Sequence, residues 1–295
     1  MPSTNGILVF PTARKTVYRS VVHLITFTTD FGTRDWFVST MKGVVLGINP
    51  RANIVDVTHE IPPGDVRSGA FALMASYRYF PKGTVHVAVV DPGVGGSRRA
   101  IAVQTKNYTF VGPDNGVLSW ALARERIKGV RLLENRKYFL GSVSRTFHGR
   151  DVFAPVAAHM RRGLPTNHLG RALTDFVRLP WPEPKLSRNE VRGEIVYIDR
   201  FGNGITNIQA ESLVHLRTPV HCEVSGRRKM RCTLAEFYSA VASRQPVTVI
   251  GSSGFLEIAV NSGSAERQYG LHTGNKVIVR SQPEPLSTSS RRRGA

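Results

Sequence analysis

Cysteine is nearly missing from this chain, with two among 295 residues, Cys222 and Cys232, ten positions apart. Without a paired C-x-x-C neither a zinc site nor a disulfide framework is indicated, and reduced thiols in the cytosol are the default expectation. Acidic residues are scarce as well: 21 Asp and Glu face 40 Lys and Arg, giving a net charge of +19 and a pI near 10.7. Such a balance raises nucleic acid or an anionic surface as a partner. The excess is dispersed, however, with short clusters at Arg161-Arg162, Arg227-Arg228-Lys229 and Arg291-Arg292-Arg293, so nucleic acid is not the expected partner. No apolar run approaches the roughly 18 residues that a membrane span needs. The longest, Val85 to Val90, has the length of a strand. The nine histidines show no H-E-x-x-H, and the glycines form neither a G-x-x-x-x-G-K-[ST] nor a complete G-x-G-x-x-G. No metal and no dinucleotide loop are therefore predicted.

What is present is an ordinary globular composition, 41% hydrophobic and 21% charged, centred on the stretch Thr84 to Val103. Two β-branched runs there flank Asp91-Pro92-Gly93-Val94-Gly95-Gly96 and the basic step Arg98-Arg99. Pro and three Gly within five residues exclude helix, and an acid at the end of a buried strand sits where open α/β sheets carry chemistry. Around this stretch, strands at 24–30, 53–57 and 108–111 alternate with helices at 36–47, 66–80 and 117–124, and a helix follows Arg150. That alternation predicts an α/β domain over residues 23–163 with a mainly parallel central sheet. The Pro-rich, aperiodic stretch 164–190 reads as a linker. From Val191 to residue 281 short strands separated by Gly, Asn and Ser turns predict an all-β barrel domain. Residues 1–22 lack a continuous apolar segment and read as a flexible extension rather than a signal peptide, and 282–295 as a disordered basic tail.

The candidate chemistry gathers in four loops: Thr28-Thr29-Asp30-Phe31-Gly32, Asp91 to Arg99, Phe147-His148-Gly149-Arg150-Asp151, and Ile198-Asp199-Arg200-Phe201-Gly202-Asn203. Any one could be a capped turn. Taken in order, TTDFG, VVDPGVG with Arg98 behind it, GPDNG, FHGRD, IDRFGN followed by TN, and LEIAVNSG resemble the S-adenosylmethionine (SAM) hydroxide adenosyltransferase family. That family is the hydrolytic branch of the superfamily that also contains the SAM-dependent fluorinase and chlorinase. The likeness spans residues 23–281.

The resemblance implies an α/β N-terminal domain, a β-barrel C-terminal domain and a homotrimer whose sites lie between neighbouring subunits. It implies attack of water-derived hydroxide on C5′ of SAM, giving adenosine and L-methionine, with SAM as substrate and no other cofactor. By the same resemblance Asp91, Arg98 and His148 form the catalytic triad, Asp30 takes the ribose diol, and Asp199 with Asn203 takes the methionine end. Ser252, Ser253 and Asn261 fall at adenine contacts. Where the fluorinase has a tyrosine, a fluoride-binding serine and an adenine-stacking aromatic, this chain has Asp91, Gly149 and Gly64. A carboxylate beside the nucleophile repels a halide and can orient water, which favours the hydrolytic branch. The alternatives are a chlorinase-type halogenase and a non-catalytic SAM- or adenosine-binding protein.

Overall fold

The computed structural model describes residues 24–216 and 220–281. The extension expected over 1–22 and the basic tail expected over 282–295 lie outside the described residues. The first half alternates strand and helix: β1 (Leu24–Thr29), α1 (Phe37–Ile48), β2 (Asn53–Thr58), α2 (Val66–Ser76), β3 (Val85–Val89), β4 (Ala100–Thr105), β5 (Thr109–Pro113), α3 (Ser119–Leu122), β6 (Ile127–Leu132), α4 (Ala154–Arg161) and β7 (Ala172–Leu173). These strands form one sheet in the order β2-β1-β3-β5-β4-β6-β7. The first four in that order run parallel, while β4, β6 and β7 join antiparallel, so the sheet is mixed. β3 and β5, each flanked by a strand on either side, are buried along their whole length.

The stretch expected as a linker carries structure of its own. Within it β7 closes the first sheet, and β8 (Lys185–Ser187) pairs with the second. Beyond it come β9 (Glu190–Ile198), β10 (Gly204–Gln209), β11 (Val220–Ser225), β12 (Lys229–Thr233), β13 (Pro246–Ile250), β14 (Phe255–Val260), α5 (Ala265–Tyr269) and β15 (Lys276–Ser281). The antiparallel order is β12-β11-β15-β9-β10-β14-β13. A bridge from Leu234 to Thr248 draws the two ends together into a nearly closed barrel. Its strands alternate as a barrel requires: Val220, Cys222 and Val224 point inward from β11, and Met230 and Cys232 from β12.

The two halves meet through an aromatic cluster. Phe71 of α2 stacks on Tyr197 of β9 with centroids 5.2 Å apart and packs on Phe255 of β14 at 5.8 Å. Trp181 wedges between Trp120 and Phe255 at 4.9 and 5.5 Å. Among the described residues no helix is long and apolar enough to cross a membrane.

Candidate active site

Asp30 and Asp91 follow β1 and β3, which are parallel neighbours with Thr29 opposite Val89. Both carboxylates therefore stand at the carboxyl edge of the sheet. Asp91, its side chain 4% exposed, receives a two-pronged contact from Arg98, Nε to Oδ1 at 2.9 Å and Nη2 to Oδ2. The same Nη2 donates to His148 Nδ1 at 2.7 Å, and the guanidinium lies 5.5 Å over the ring of Phe153. One arginine thus ties Asp91 to His148 and is itself clamped in plane.

A guanidinium can only donate, so Nδ1 of His148 is the acceptor and the neutral ring carries its proton on Nε2. Burial, then the Arg98 charge, lowers the His148 pKa and favours that neutral form. His148 stands at the start of a π-helical turn, Gly149–Phe153, that runs straight into α4. Such turns widen a helix by one residue and gather at functional sites. Asp151 anchors the turn, fully buried and accepting from Ser144 N at 2.7 Å and Arg150 Nε at 2.6 Å. Phe31, Phe147 and Met41 press around Gly149, each within 3.2 Å of where a Cβ would stand.

Asp30 Oδ2 accepts from Gly64 N at 2.8 Å. Burial raises the Asp30 pKa; the Gly64 N–H opposes the rise and the nearby Asp91 charge adds to it. The loop is sewn down by a residue that sequence reasoning missed. His59 Nδ1 lies 2.8 Å from Thr29 Oγ1, its Nε2 lies 3.1 Å from Asp56 Oδ1, and its carbonyl accepts from Gly32 N at 2.7 Å.

The other residues singled out in the sequence lie in the barrel domain. A cleft of about 1020 Å³ opens there, and Asp199, Asn203 and Ser252 line it. Asp199 Oδ1 accepts from Phe201 N and Asn203 N at 2.9 and 2.8 Å, and Oδ2 from Asn203 Nδ2 at 3.0 Å. Gly202, at φ 80°, turns this loop. Ser253 and Asn261 do not line the cleft. The Ser253 hydroxyl is buried without a partner among the described residues, and Asn261 bonds to Val241 O at 2.7 Å and Ser262 Oγ at 3.2 Å. All the residues lining the cleft belong to the second domain, and Asp30, Asp91, Arg98 and His148 are not among them. His148 instead borders a separate hollow of about 300 Å³ beside Gly95 and Arg145.

Comparison with known proteins agrees with this two-part layout. The SAM hydroxide adenosyltransferase N-terminal domain matches residues 25–170, and the C-terminal domain of the same family matches residues 193–278. The chain belongs to the SAM hydroxide adenosyltransferase family. Similar relatives include the (R)-S-adenosyl-L-methionine hydrolase of Thermus thermophilus, 41% identical over 266 residues that cover 85% of this chain and 97% of the relative. The hydrolase of the same name from Salinispora tropica is 39% identical, covering 86% of this chain and 97% of its own. The crystal structure of an uncharacterized conserved protein from Thermotoga maritima superposes with a TM-score of 0.81 at 38% identity, over 87% of this chain and 99% of that one. For a SAM hydroxide adenosyltransferase, the cleft holds one acid that the sequence reading passed over, Glu257. A lone carboxylate inside the apolar strand FLEIAV was the available signal.

Proposed function

We propose that this protein hydrolyses S-adenosyl-L-methionine to adenosine and L-methionine. The observation that carries the mechanism is the Arg98 guanidinium shared between Asp91 and His148. The sulfonium already present in the substrate leaves without being protonated, so the demand falls on placing a water in line with the C5′–S bond. Positioning of that kind can lower a barrier by roughly 7 to 11 kcal/mol at its upper range. In the arrangement described, the Nε2–H of His148 donates to the water oxygen and orients it. Asp91 accepts one hydrogen bond from Arg98 on each oxygen, keeps further lone pairs, and receives the proton as the C–O bond forms. Asp30 binds the ribose diol, and Asp199 with Asn203 takes the methionine end.

Because the triad and the cleft share no wall within one chain, we place the complete site between subunits of a homotrimer, the N-terminal half-site of one copy facing the barrel cleft of the next. The division of labour between the α/β domain and the barrel domain and a cytoplasmic location belong to the same proposal; the scarcity of cysteine supports the latter.

The test is product analysis after incubation with SAM in low-halide and high-chloride buffers. Adenosine and methionine in both are expected, with Asp91→Ala and His148→Ala losing at least about 10²-fold in rate while still binding ligand. Full activity in both variants, or a halogenated nucleoside in chloride, would overturn the proposal.

A further inference from the structure

The barrel cleft contains charge that the assignments above leave unused. Glu257 sits mid-way along β14 on the face opposite Leu256 and Ile258, which enter the barrel core. It is 6% exposed, it lines the cleft, and its Oε2 accepts the Tyr238 hydroxyl at 2.6 Å. Its Oε1 occupies the space over Gly251 that a side chain there would fill, and no hydrogen bond engages that oxygen among the described residues. Asp199 shares the cleft and keeps capacity on Oδ2. On the same walls stand Arg200, Arg244 and Arg267, whose guanidinium groups have no carboxylate partner among the described residues. Arg244 and Ser262, at φ 67° and 53°, are the non-glycine residues held in the left-handed region among the described residues, and both line this cleft. Strained backbone of this kind persists where surrounding structure enforces it, commonly at ligand clamps.

A carboxylate this deep is unfavourable unless its oxygens are compensated, and Tyr238 compensates one. Burial and the Asp199 charge both raise the Glu257 pKa, and a cation docking beside it reverses that penalty. An ammonium, with its N–H donors on one nitrogen, matches two acids with unused oxygens. A hydroxyl brings one donor and no charge to the two acids.

We infer that Glu257, seated by Tyr238 and Gly251, is a second acid for the ligand's α-ammonium beside Asp199, and so a specificity residue for ligands that carry an amino-acid end. The inference rests on the SAM reading of the cleft. It is tested by calorimetric titration of the full chain with S-adenosyl-L-homocysteine and with its deaminated counterpart, which differs only by the amino group. The wild type should prefer the amine by at least about tenfold, and Glu257→Gln should shrink that preference below about threefold while the deaminated ligand binds as before. Tyr238→Phe, which keeps the carboxylate but frees it, should reduce the preference part-way. A preference unchanged in both variants, or both ligands weakened equally, overturns the inference. SAM turnover by the wild type separates the two readings. Amine preference without adenosine production sinks the hydrolase and spares Glu257, whereas turnover without amine preference sinks Glu257 alone.

Discussion

His86 lies fully buried in β3 with its Nδ1 2.8 Å from Thr26 Oγ1 and its ring stacked on Phe110, and burial depresses its pKa to about 3. Unfolded, the ring titrates near 6.5, so between those values the unfolded chain binds the extra proton. The stability that the neutral ring contributes is whole above pH 6.5 and is lost as pH falls toward 3. His148 and His159, also lowered mainly by burial, act with the same sign. Urea unfolding at pH 7 and pH 5 should show a loss of about 2 kcal/mol at the lower pH. His86→Phe should flatten that dependence. At the triad, Arg98→Gln removes the contact to Asp91 and the one to His148 together. Adenosine formation should fall at least about 10²-fold, and Arg98→Lys should not restore it, because an ammonium cannot reproduce the planar fork. Asp30 and Asp91 were legible in the sequence because each ends a β-branched run at a turn. His59 and Glu257 were not, since what gives each its place is a contact with residues distant in the chain, Thr29 for one and Tyr238 for the other.

Among the elements, the loop after β3 depends on Gly95, whose φ of 76° suits glycine and whose missing Cβ lets the carbonyl of Arg145 approach. Gly95→Ala would strain the backbone and collide with that carbonyl. A loss of about 1 to 3 kcal/mol in thermal unfolding is expected, together with reduced turnover, because the displaced loop carries Arg98. The runs on either side of this loop were readable as strands, yet not as strands separated by β5. Neighbourhood in a sheet is decided by where the chain returns, which local pattern does not record. β6 hid for a different reason: Lys128, Gly129 and Arg131 interrupt its apolar alternation. The helix after Arg150 was legible, whereas the π-helical turn before it was not. Nothing in GRDVF distinguishes a one-residue widening from an ordinary helical start.

For the whole molecule, the seam between the domains is the part most exposed to a single substitution. Phe71 is 2% exposed and packs against both Tyr197 and Phe255, so Phe71→Ala should lower stability by about 3 to 5 kcal/mol and split unfolding into two transitions in calorimetry. The proposal of a site between subunits makes a separate prediction. Asp91→Ala and Asp199→Ala chains are each expected to be inactive alone. Co-expressed in equal amounts, they should recover about a quarter of wild-type activity, because one site in four then receives an intact half from each copy. No recovery would place the whole site within one chain. Should recovery be seen, the absence, among the described residues, of any first-domain residue from the walls of the barrel cleft acquires a meaning for the cell. A lone copy is inert, and consumption of the substrate starts only once enough copies have accumulated to meet. Specific activity across a dilution series should then drop steeply at low protein, so that abundance itself acts as the brake.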